Sequence, residues 1–448
     1  MTIDFSIFKA YDIRGVYPDQ LNEEVAYKLG RALVIFLNAE VIVVGRDMRL
    51  SSDSLFKALS KGIMEQGADV IDIGITSTPV FNFSVAEYRH HDGGIMITAS
   101  HNPKEYNGFK LADSQAIPIS SIYGLPRVKK LIEKGKFAKK KEGTIVETYM
   151  LRPYLDKVLG MIDWKEINDL KVVVDCGNGM GGISLEPIFK KLRNCELIKL
   201  YFEPEGTFPH HEPNPLKEET LVDLKEKVVK EKADLGVTLD GDADRIGFID
   251  EKGNVVSGDL ITALIAKELL RENPKEKIIY DLRSSQVVPE EIKKGGGIPL
   301  RWKVGHALIK KKMREENALF AGELSSHFYF RDFYFVECAD LAMLKIMEMI
   351  SREKKPLSEL VKPLRRYYVS GEINSEVRDK EGKMKELAEI YKEAQKIDWL
   401  DGVTVEYKDW WFNVRPSNTE PLLRLNLEAK TKELMEEKRD EVLKIIRG

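Results

Sequence analysis

The chain has 448 residues, of which 43% are hydrophobic and 32% charged. Its 70 basic and 73 acidic residues nearly cancel, leaving a net charge of -3, which excludes a strongly basic nucleic-acid coat. The length corresponds to about three or four domains.

The opening stretch, MTIDFSIFKAYDIRG, carries an early acid and lacks a basic-then-apolar pattern. It does not read as a signal peptide. The longest apolar run, LVIFLNAEVIVV, is interrupted by Asn38 and Glu40 and is too short to cross a bilayer. Three widely spaced cysteines, Cys176, Cys195 and Cys338, fit a reducing compartment better than a disulfide framework. The expectation is a soluble cytoplasmic protein with no membrane and no nucleic-acid partner.

In chain order, NEEVAYKLGRALVIFLN has helical apolar spacing, and EVIVVGRD is a β-branched run stopped by Gly45. SSDSLFKALSKGIMEQGAD reads as a second helix and VIDIGITSTP as a second strand. Such alternation argues for an α/β layer of parallel strands. The grammar restarts near residue 170 with LKVVVDCGNGMGG, CELIKLYFEPEG, the amphipathic LVDLKEKVVKEKAD and LGVTLDGDADRIGFID. Near 255 it restarts again, with GDLITALIAKELLREN, KIIYDLRSS, IPLRWKVGHALIKKKMREEN, ALFAGELSSHFYF and DLAMLKIMEMISR. The segment 352–368, rich in Lys, Arg and Pro, looks like a connection. Beyond it GEINSEVRD, VTVEYKDWWFNVRPS and PLLRLNLEAK read as strands, with helices over 382–396 and 431–447.

Two loops carry the chemistry. In LDGDADR, Asp240, Asp242 and Asp244 are spaced two apart and hemmed by apolar strands. Three carboxylates there repel one another unless a cation sits among them, and hard oxygen ligands suit Mg²⁺. An EF-hand does not fit, because its ligand pattern is unfilled and the loop joins strands. A solvated acidic turn is the plainer alternative. The second loop is TASHNP, which places Ser100 and His101 ahead of a stiff Asn-Pro turn, with Lys110 in the strand that follows. No Gly-x-Ser-x-Gly elbow surrounds Ser100. A simple hairpin turn is possible there, but a serine oxygen, or a phosphate on it, would complete the coordination of a cation.

TASHNP, DGDADR, GELSSH and RPSNTEP occur in that order, together with FKAYDIRG near the start and KVGHALIK before GELSSH. With these motifs the chain resembles the α-D-phosphohexomutase superfamily from Phe8 to Pro421 and beyond. It is most similar to the bacterial and archaeal phosphomannomutase/phosphoglucomutase group. The resemblance implies three consecutive α/β mixed-sheet domains of similar topology plus a C-terminal α+β domain, around a central cleft. The units would be 1–148 with the phosphoserine loop, 149–252 with the metal loop, 253–364 with the sugar loop, and 365–448 with the phosphate loop.

Residue by residue, the resemblance makes Ser100 a phosphoserine. Asp240, Asp242, Asp244 and an oxygen on Ser100 would hold Mg²⁺, and Arg245 would pair with phosphate oxygens. Tyr11 and Arg14 would join the serine loop's surroundings, beside His101. Lys110 is the preferred proton shuttle, with a pKa lowered by burial and cationic neighbours. Glu323 and Ser325 would bind sugar hydroxyls, His327 would lie at the rim, and Lys303 and His306 would sit near the mouth. Arg283 would face the cleft. Arg415, Ser417, Asn418 and Thr419 would clamp the phosphate that is not transferred, partly through an anion nest.

The implied activity interconverts hexose 1- and 6-phosphates of mannose or glucose through a hexose 1,6-bisphosphate, which would also serve as activator. The expected assembly is a monomer or a homodimer. Ser326 stands where the group usually has glycine. A phosphoglucosamine mutase is one alternative, although its sugar loop usually reads Glu-Gln-Ser-Gly-His and this chain has Leu324. A metal-dependent phosphatase and a non-catalytic sugar-phosphate binding protein are the others.

Overall fold

The computed structural model describes residues 3–138, 140–417 and 422–448. Among these residues the strands form four sheets. The first holds β1 (Ile13–Val16), β2 (Val41–Arg46), β3 (Asp69–Ile75), β4 (Gly93–Ile97), β5 (Tyr106–Asp113) and β6 (Ile145–Glu147), in the order β1-β5-β4-β2-β3-β6. The second holds β7 (Lys171–Asp175), β8 (Glu196–Leu200), β9 (Leu235–Leu239), β10 (Ile246–Asp250) and β11 (Val255–Val256), in the order β11-β10-β9-β7-β8. The third holds β12 (Lys277–Asp281), β13 (Ile298–Trp302), β14 (Phe320–Gly322), β15 (Phe328–Phe330) and β16 (Val336–Glu337), in the order β13-β12-β14-β15-β16.

The second and third sheets have the same topology. In each, the first strand is flanked by two parallel partners, and the later of these opens an antiparallel meander. The first sheet repeats the scheme around β2, with β3 and β4 parallel to it and β5 antiparallel to β4. The mixed sheets implied by the family resemblance are therefore present, with the parallel strands read from the alternation in each. The physical reason for the antiparallel step is the short loop after β4, which is long enough to reverse the chain but not to make a parallel crossover. The hairpin loops β4–β5, β9–β10 and β14–β15 are equivalent in the three repeats. They carry Ser100, the three aspartates, and Glu323 to His327 respectively.

Strand burial follows this layering. β4 and β9 are buried along their whole length, as strands covered on both faces must be. The helix Glu23–Leu37 is capped by the Asn22 side chain, which accepts from the Glu24 and Val25 N–H groups. It opens with two acids at its positive end, where they interact favourably with the dipole.

One apolar core runs from Val43 in the first unit through the second unit to Leu364 at the end of the third. The fourth unit has its own core, built on Phe412, Val414, Leu425 and Leu387. Its sheet comprises β17 (Tyr368–Val369), β18 (Ile373–Glu376), β19 (Lys396–Asp398), β20 (Val403–Glu406), β21 (Trp410–Pro416) and β22 (Leu422–Ala429). The order is β17-β22-β21-β20-β19, with β18 also on β22. The helix expected over 382–396 spans only Lys380–Ile390. Residues 391–395 turn away instead, and the chain then enters the edge strand β19, which pairs with β20.

Candidate active site

The serine loop is built from backbone outward. Ser100 has φ +52° and is 2% exposed, and its N–H donates to Thr98 Oγ1 at 2.9 Å. Arg49 holds the loop from below. Its guanidinium donates to the carbonyls of Ser100 (2.9 Å), Asn102 (2.6 Å), Pro103 (2.7 Å) and Tyr106 (2.9 Å). Arg14 clasps the same loop from β1, donating to Ala99 O at 3.2 Å and to the Asn102 side chain, while Asp12 orients it at 2.8 Å. A serine in a left-handed turn, fixed on two arginines, presents its hydroxyl in one direction.

That direction is toward the acidic loop. Ser100 Oγ donates to Asp240 Oδ2 at 2.6 Å, and His101 Nδ1 lies 3.2 Å from Ser100 Oγ. Gly241 is packed so closely on the serine loop that a Cβ there would come within 2.4 Å of Ser100 O. Asp240, Asp242 and Asp244 are all buried, and each offers an oxygen within 4.8 Å of the others. Asp242 Oδ1 and Asp244 Oδ1 have no hydrogen-bond partner among the described residues. Clustered, buried, partly unpartnered carboxylate oxygens fit a hard divalent cation such as Mg²⁺.

Electrostatics in this cluster are strong. Burial, together with the charges of Asp244 and Asp242, raises the Asp240 carboxyl above its ordinary range. Burial also opposes ionisation of Asp244, but Lys110, His327 and Arg245 outweigh it and hold that carboxyl well below the usual range. Lys110 projects from β5 into the trio, its Nζ 2.5 Å from both Asp242 Oδ2 and Asp244 Oδ2. Burial alone lowers its pKa, as expected from the sequence. The two aspartates reverse the sign and raise it above the ordinary lysine value, which corrects that expectation. His101 stays neutral, because Arg245, burial and Arg14 all push its pKa well down.

His327 is not at the rim. It is 6% exposed, with Nε2 3.5 Å from Asp244 Oδ1 and Nδ1 3.2 Å from Glu323 Oε2. Arg245 Nε lies 3.3 Å from His327 Nε2. Burial and Arg245 oppose a charge on the ring, but Asp244 and Glu323 outweigh them and push it up to about 9. The ring is drawn inward because Ile246 N–H donates to Ser326 O at 3.0 Å, tying the β14–β15 loop to the acidic loop.

In the β14–β15 loop, Glu323 is buried and accepts from Gly305 N–H at 2.9 Å and from Tyr329 Oη at 2.5 Å. Ser325 Oγ is 3.3 Å from His327 Nδ1. Ser326 has φ +67°, a conformation in which glycine is less strained.

Tyr11 stands three residues before Arg14 and lines a cavity with Thr78 and Lys110. It reaches the third unit, where its hydroxyl donates to Val304 O at 3.1 Å and its ring lies edge-on to His306 at 5.3 Å. Gly305, at φ +125°, accommodates this contact, since a Cβ there would meet Tyr11 Oη at 2.3 Å. Burial and the Glu323 charge push the Tyr11 phenol up to about 12. His306 begins the helix His306–Glu316, and burial together with Lys310 and Lys110 keeps its ring neutral. Lys303 is half-buried on the same approach.

The fourth unit stands apart from this cluster. Arg415 lies within β21 and is 7% exposed. Ser417 is buried, its N–H donating to Leu422 O at 2.8 Å. Asn418 and Thr419 lie outside the described residues. Arg283, after β12, is held by Asp281 at 2.8 Å and approaches the fourth unit through Glu372 at 3.8 Å. Sequence reasoning missed Arg49, Thr78 and Glu372. Thr78 donates its N–H to Asp242 O at 2.9 Å and its hydroxyl to the Asp242 carboxylate. Only the Ser-Thr-Pro helix start signalled it.

A serine hydroxyl seated on clustered buried carboxylates, in a frame of three α/β repeats and a fourth lobe, defines an intramolecular phosphotransferase. Four family models match in succession: phosphoglucomutase/phosphomannomutase α/β/α domains I (residues 6–139), II (152–253) and III (257–367), and the C-terminal domain (372–445). The chain belongs to the phosphoglucomutase/phosphomannomutase family. It is 42% identical to a phosphomannomutase of Methanocaldococcus jannaschii over 99% of this chain and 98% of that protein. It is 40% identical to a phosphomannomutase of Escherichia coli over 94% of each chain. A crystal structure of a phosphoglucomutase/phosphomannomutase family protein from Burkholderia thailandensis superposes with TM-score 0.92 at 33% identity, covering 99% of this chain and 97% of that one. Among the described residues no helix is long and apolar enough to cross a membrane.

Proposed function

We propose that the enzyme interconverts hexose 1-phosphate and hexose 6-phosphate, with mannose or glucose as the sugar, through a phosphoserine at Ser100 and a hexose 1,6-bisphosphate. The observation that carries this reading is the 2.6 Å contact of Ser100 Oγ with Asp240, beside Asp242 Oδ1, which has no hydrogen-bond partner among the described residues. Relatives at about the same identity over nearly the whole chain are named phosphomannomutases, which supports this sugar class over glucosamine phosphate.

Asp240, Asp242, Asp244 and an oxygen on Ser100 would hold Mg²⁺. When bound, the ion neutralises charge on the phosphoryl group and on the serine oxygen. The chain's own residues do the rest. The P–Oγ bond of phosphoserine breaks as the sugar 6-hydroxyl oxygen bonds to phosphorus, and the bond electrons stay on Oγ. The neutral His101, 3.2 Å from Ser100 Oγ, borders this exchange and can take up the hydroxyl proton, while Lys110, kept charged by Asp242 and Asp244, balances negative charge beside it. Arg14 and Arg49 keep the loop from moving as charge develops. Glu323, Ser325 and His327 offer acceptors and donors to sugar hydroxyls, with Tyr11, Lys303 and His306 closing the approach. Arg245 pairs with the transferring phosphate. Arg415, Ser417, Asn418 and Thr419 clamp the other phosphate. The bisphosphate then turns round and returns its second phosphoryl group to Ser100, while closure of the lobes excludes water. A trace of bisphosphate serves as activator by charging Ser100. Three unpaired cysteines support a reducing, cytoplasmic setting.

A ³¹P NMR time course with Mg²⁺ and a trace of hexose 1,6-bisphosphate tests the reading. Mannose 1-phosphate or glucose 1-phosphate is expected to convert to its 6-phosphate, faster than glucosamine 1-phosphate does. Growth of inorganic phosphate would make the enzyme a phosphatase instead, and unchanged spectra for all three sugars would overturn the reading.

A further inference from the structure

One carboxylate sits where an anion belongs. Glu372 immediately precedes β18 in the fourth unit. Its Oε2 is 2.8 Å from Arg415 Nη2 and 3.8 Å from Arg283 Nη1. Its Oε1 is 3.5 Å from Arg424 Nη1. Three guanidinium groups from two units therefore converge on one side chain. Arg415 and Arg424 are direct partners in the β21–β22 register, so both project from one face of the sheet. Arg283 arrives from the turn after β12, oriented by Asp281. Arg415 Nε has no hydrogen-bond partner among the described residues.

A carboxylate and a phosphate monoester offer a guanidinium the same pair of charged oxygens. Asp281 already answers Arg283, but Arg415 and Arg424 face each other in the β21–β22 register and would repel without a nearby anion. Glu372 relieves that repulsion. Its charge also faces any second anion that approaches Arg415.

We propose that Glu372 is a resident competitor for the phosphate clamp. It occupies Arg415 between turnovers, yields as the non-transferred phosphate docks, and so weakens ground-state binding of that phosphate. The inference rests on the mutase reading, in which a bisphosphate must release its clamp in order to turn round. A clamp with no competitor would hold one orientation longer, lowering KM without raising kcat. Glu372 touches no reacting atom and is a positioning residue.

The test compares the full chain with its Glu372→Gln and Glu372→Asp variants. Calorimetry reads the affinity for inorganic phosphate, and steady-state kinetics read kcat and KM. Glu372→Gln is expected to bind phosphate about tenfold more tightly, since a like charge a few ångströms away is removed. KM for hexose 1-phosphate should fall with it, and kcat should fall too because the bisphosphate turns more slowly. Its melting temperature should drop in phosphate-free buffer and recover on addition of phosphate, more than the parent's rises. Glu372→Asp keeps the charge but draws it back from Arg415, and is expected to bind phosphate about threefold more tightly. That variant decides the matter if Glu372→Gln does not fold. Unchanged or weaker phosphate binding in the folded variants would overturn the inference and make Glu372 a support for the arginines. Phosphate affinity judges Glu372, whereas failure of the parent to convert any hexose 1-phosphate would refute the mutase reading.

Discussion

Ser100 and Asp240 stand 140 residues apart in sequence, yet the serine hydroxyl donates to the aspartate at 2.6 Å. The contact joins two equivalent hairpin loops, one from the first repeat and one from the second. In the proposed mechanism it gives the nucleophile's role to a side chain that has no hydrolase elbow around it. Ser100→Ala is expected to lower turnover by at least about a thousandfold, as loss of a nucleophile does. Binding of hexose 1-phosphate should stay close to that of the parent. Intact-mass measurement checks the cause: the parent incubated with hexose 1,6-bisphosphate should gain one phosphoryl group and the variant none.

The aspartate trio predicts a requirement for a divalent cation. Chelation is expected to abolish conversion, and added Mg²⁺ to restore it. In Asp242→Asn one ligand charge is gone and the contacts to Lys110 and Thr78 are weakened. The Mg²⁺ concentration for half-maximal rate should then rise at least about tenfold. A rate that is unaffected by chelation would rule out the cation reading.

Part of this site was legible in the sequence, and the rest was hidden for physical reasons. Ser100 and the three aspartates sit in loops bounded by apolar strands, and a polar cluster between two buried runs stands out in one dimension. Arg49 did not stand out, because its partners are backbone carbonyls, which leave no mark on side-chain identity. The placement of His327 depends on a backbone bond between Ile246 and Ser326, made by residues on different repeats. Glu372 looks like any polar residue beside a strand until Arg283 approaches it from another unit. In the fold, the three α/β repeats followed from alternating periodicities. The antiparallel hairpin in each repeat did not, because β4 and β9 are as apolar as a parallel strand and direction leaves no periodicity. Edge strand β19, with three residues, is too short to show a period of two.

Arg49 makes a distinct prediction about rigidity. It is 3% exposed, pairs with Asp47 at 3.3 Å and supplies four carbonyls of the serine loop. Arg49→Lys keeps the charge but loses the planar fork. Loss of some of its hydrogen bonds to the loop carbonyls should cost about 1–3 kcal/mol. Hydrogen exchange over residues 98–107 is expected to speed up selectively, with turnover falling alongside.

Ser326 makes the opposite prediction. At φ +67° an L-residue is strained by about 1–2 kcal/mol, which glycine avoids at some entropic cost. Ser326→Gly is therefore expected to gain about 0.5–1 kcal/mol, read as a higher denaturant midpoint. A lower midpoint would mean that the serine side chain contributes more than the strain costs.

The last prediction concerns pH and a carboxyl outside the site. Asp340 is 2% exposed at the start of the helix Ala339–Glu353. It accepts from Tyr154 Oη at 2.7 Å, and Tyr154 lies on the helix Leu151–Leu159. Burial pushes the Asp340 carboxyl up from 3.8 to about 6, with Tyr154 and Ser184 only partly opposing it. The folded state therefore holds a proton that the unfolded chain gives up earlier. Its stabilising contribution is complete below pH 3.8 and is lost as pH rises through about 6. A shift of this size corresponds to about 3 kcal/mol between the two limits. Asp340→Asn can still accept from Tyr154 but has no proton to lose. Relative to the parent, the variant should gain stability steadily as pH rises through 6, and level off above it. Denaturant midpoints for the two proteins across that interval check the sign, since the other carboxylates are common to both and cancel in the difference. Parallel pH profiles would show that Asp340 ionises in the fold as readily as in the unfolded chain.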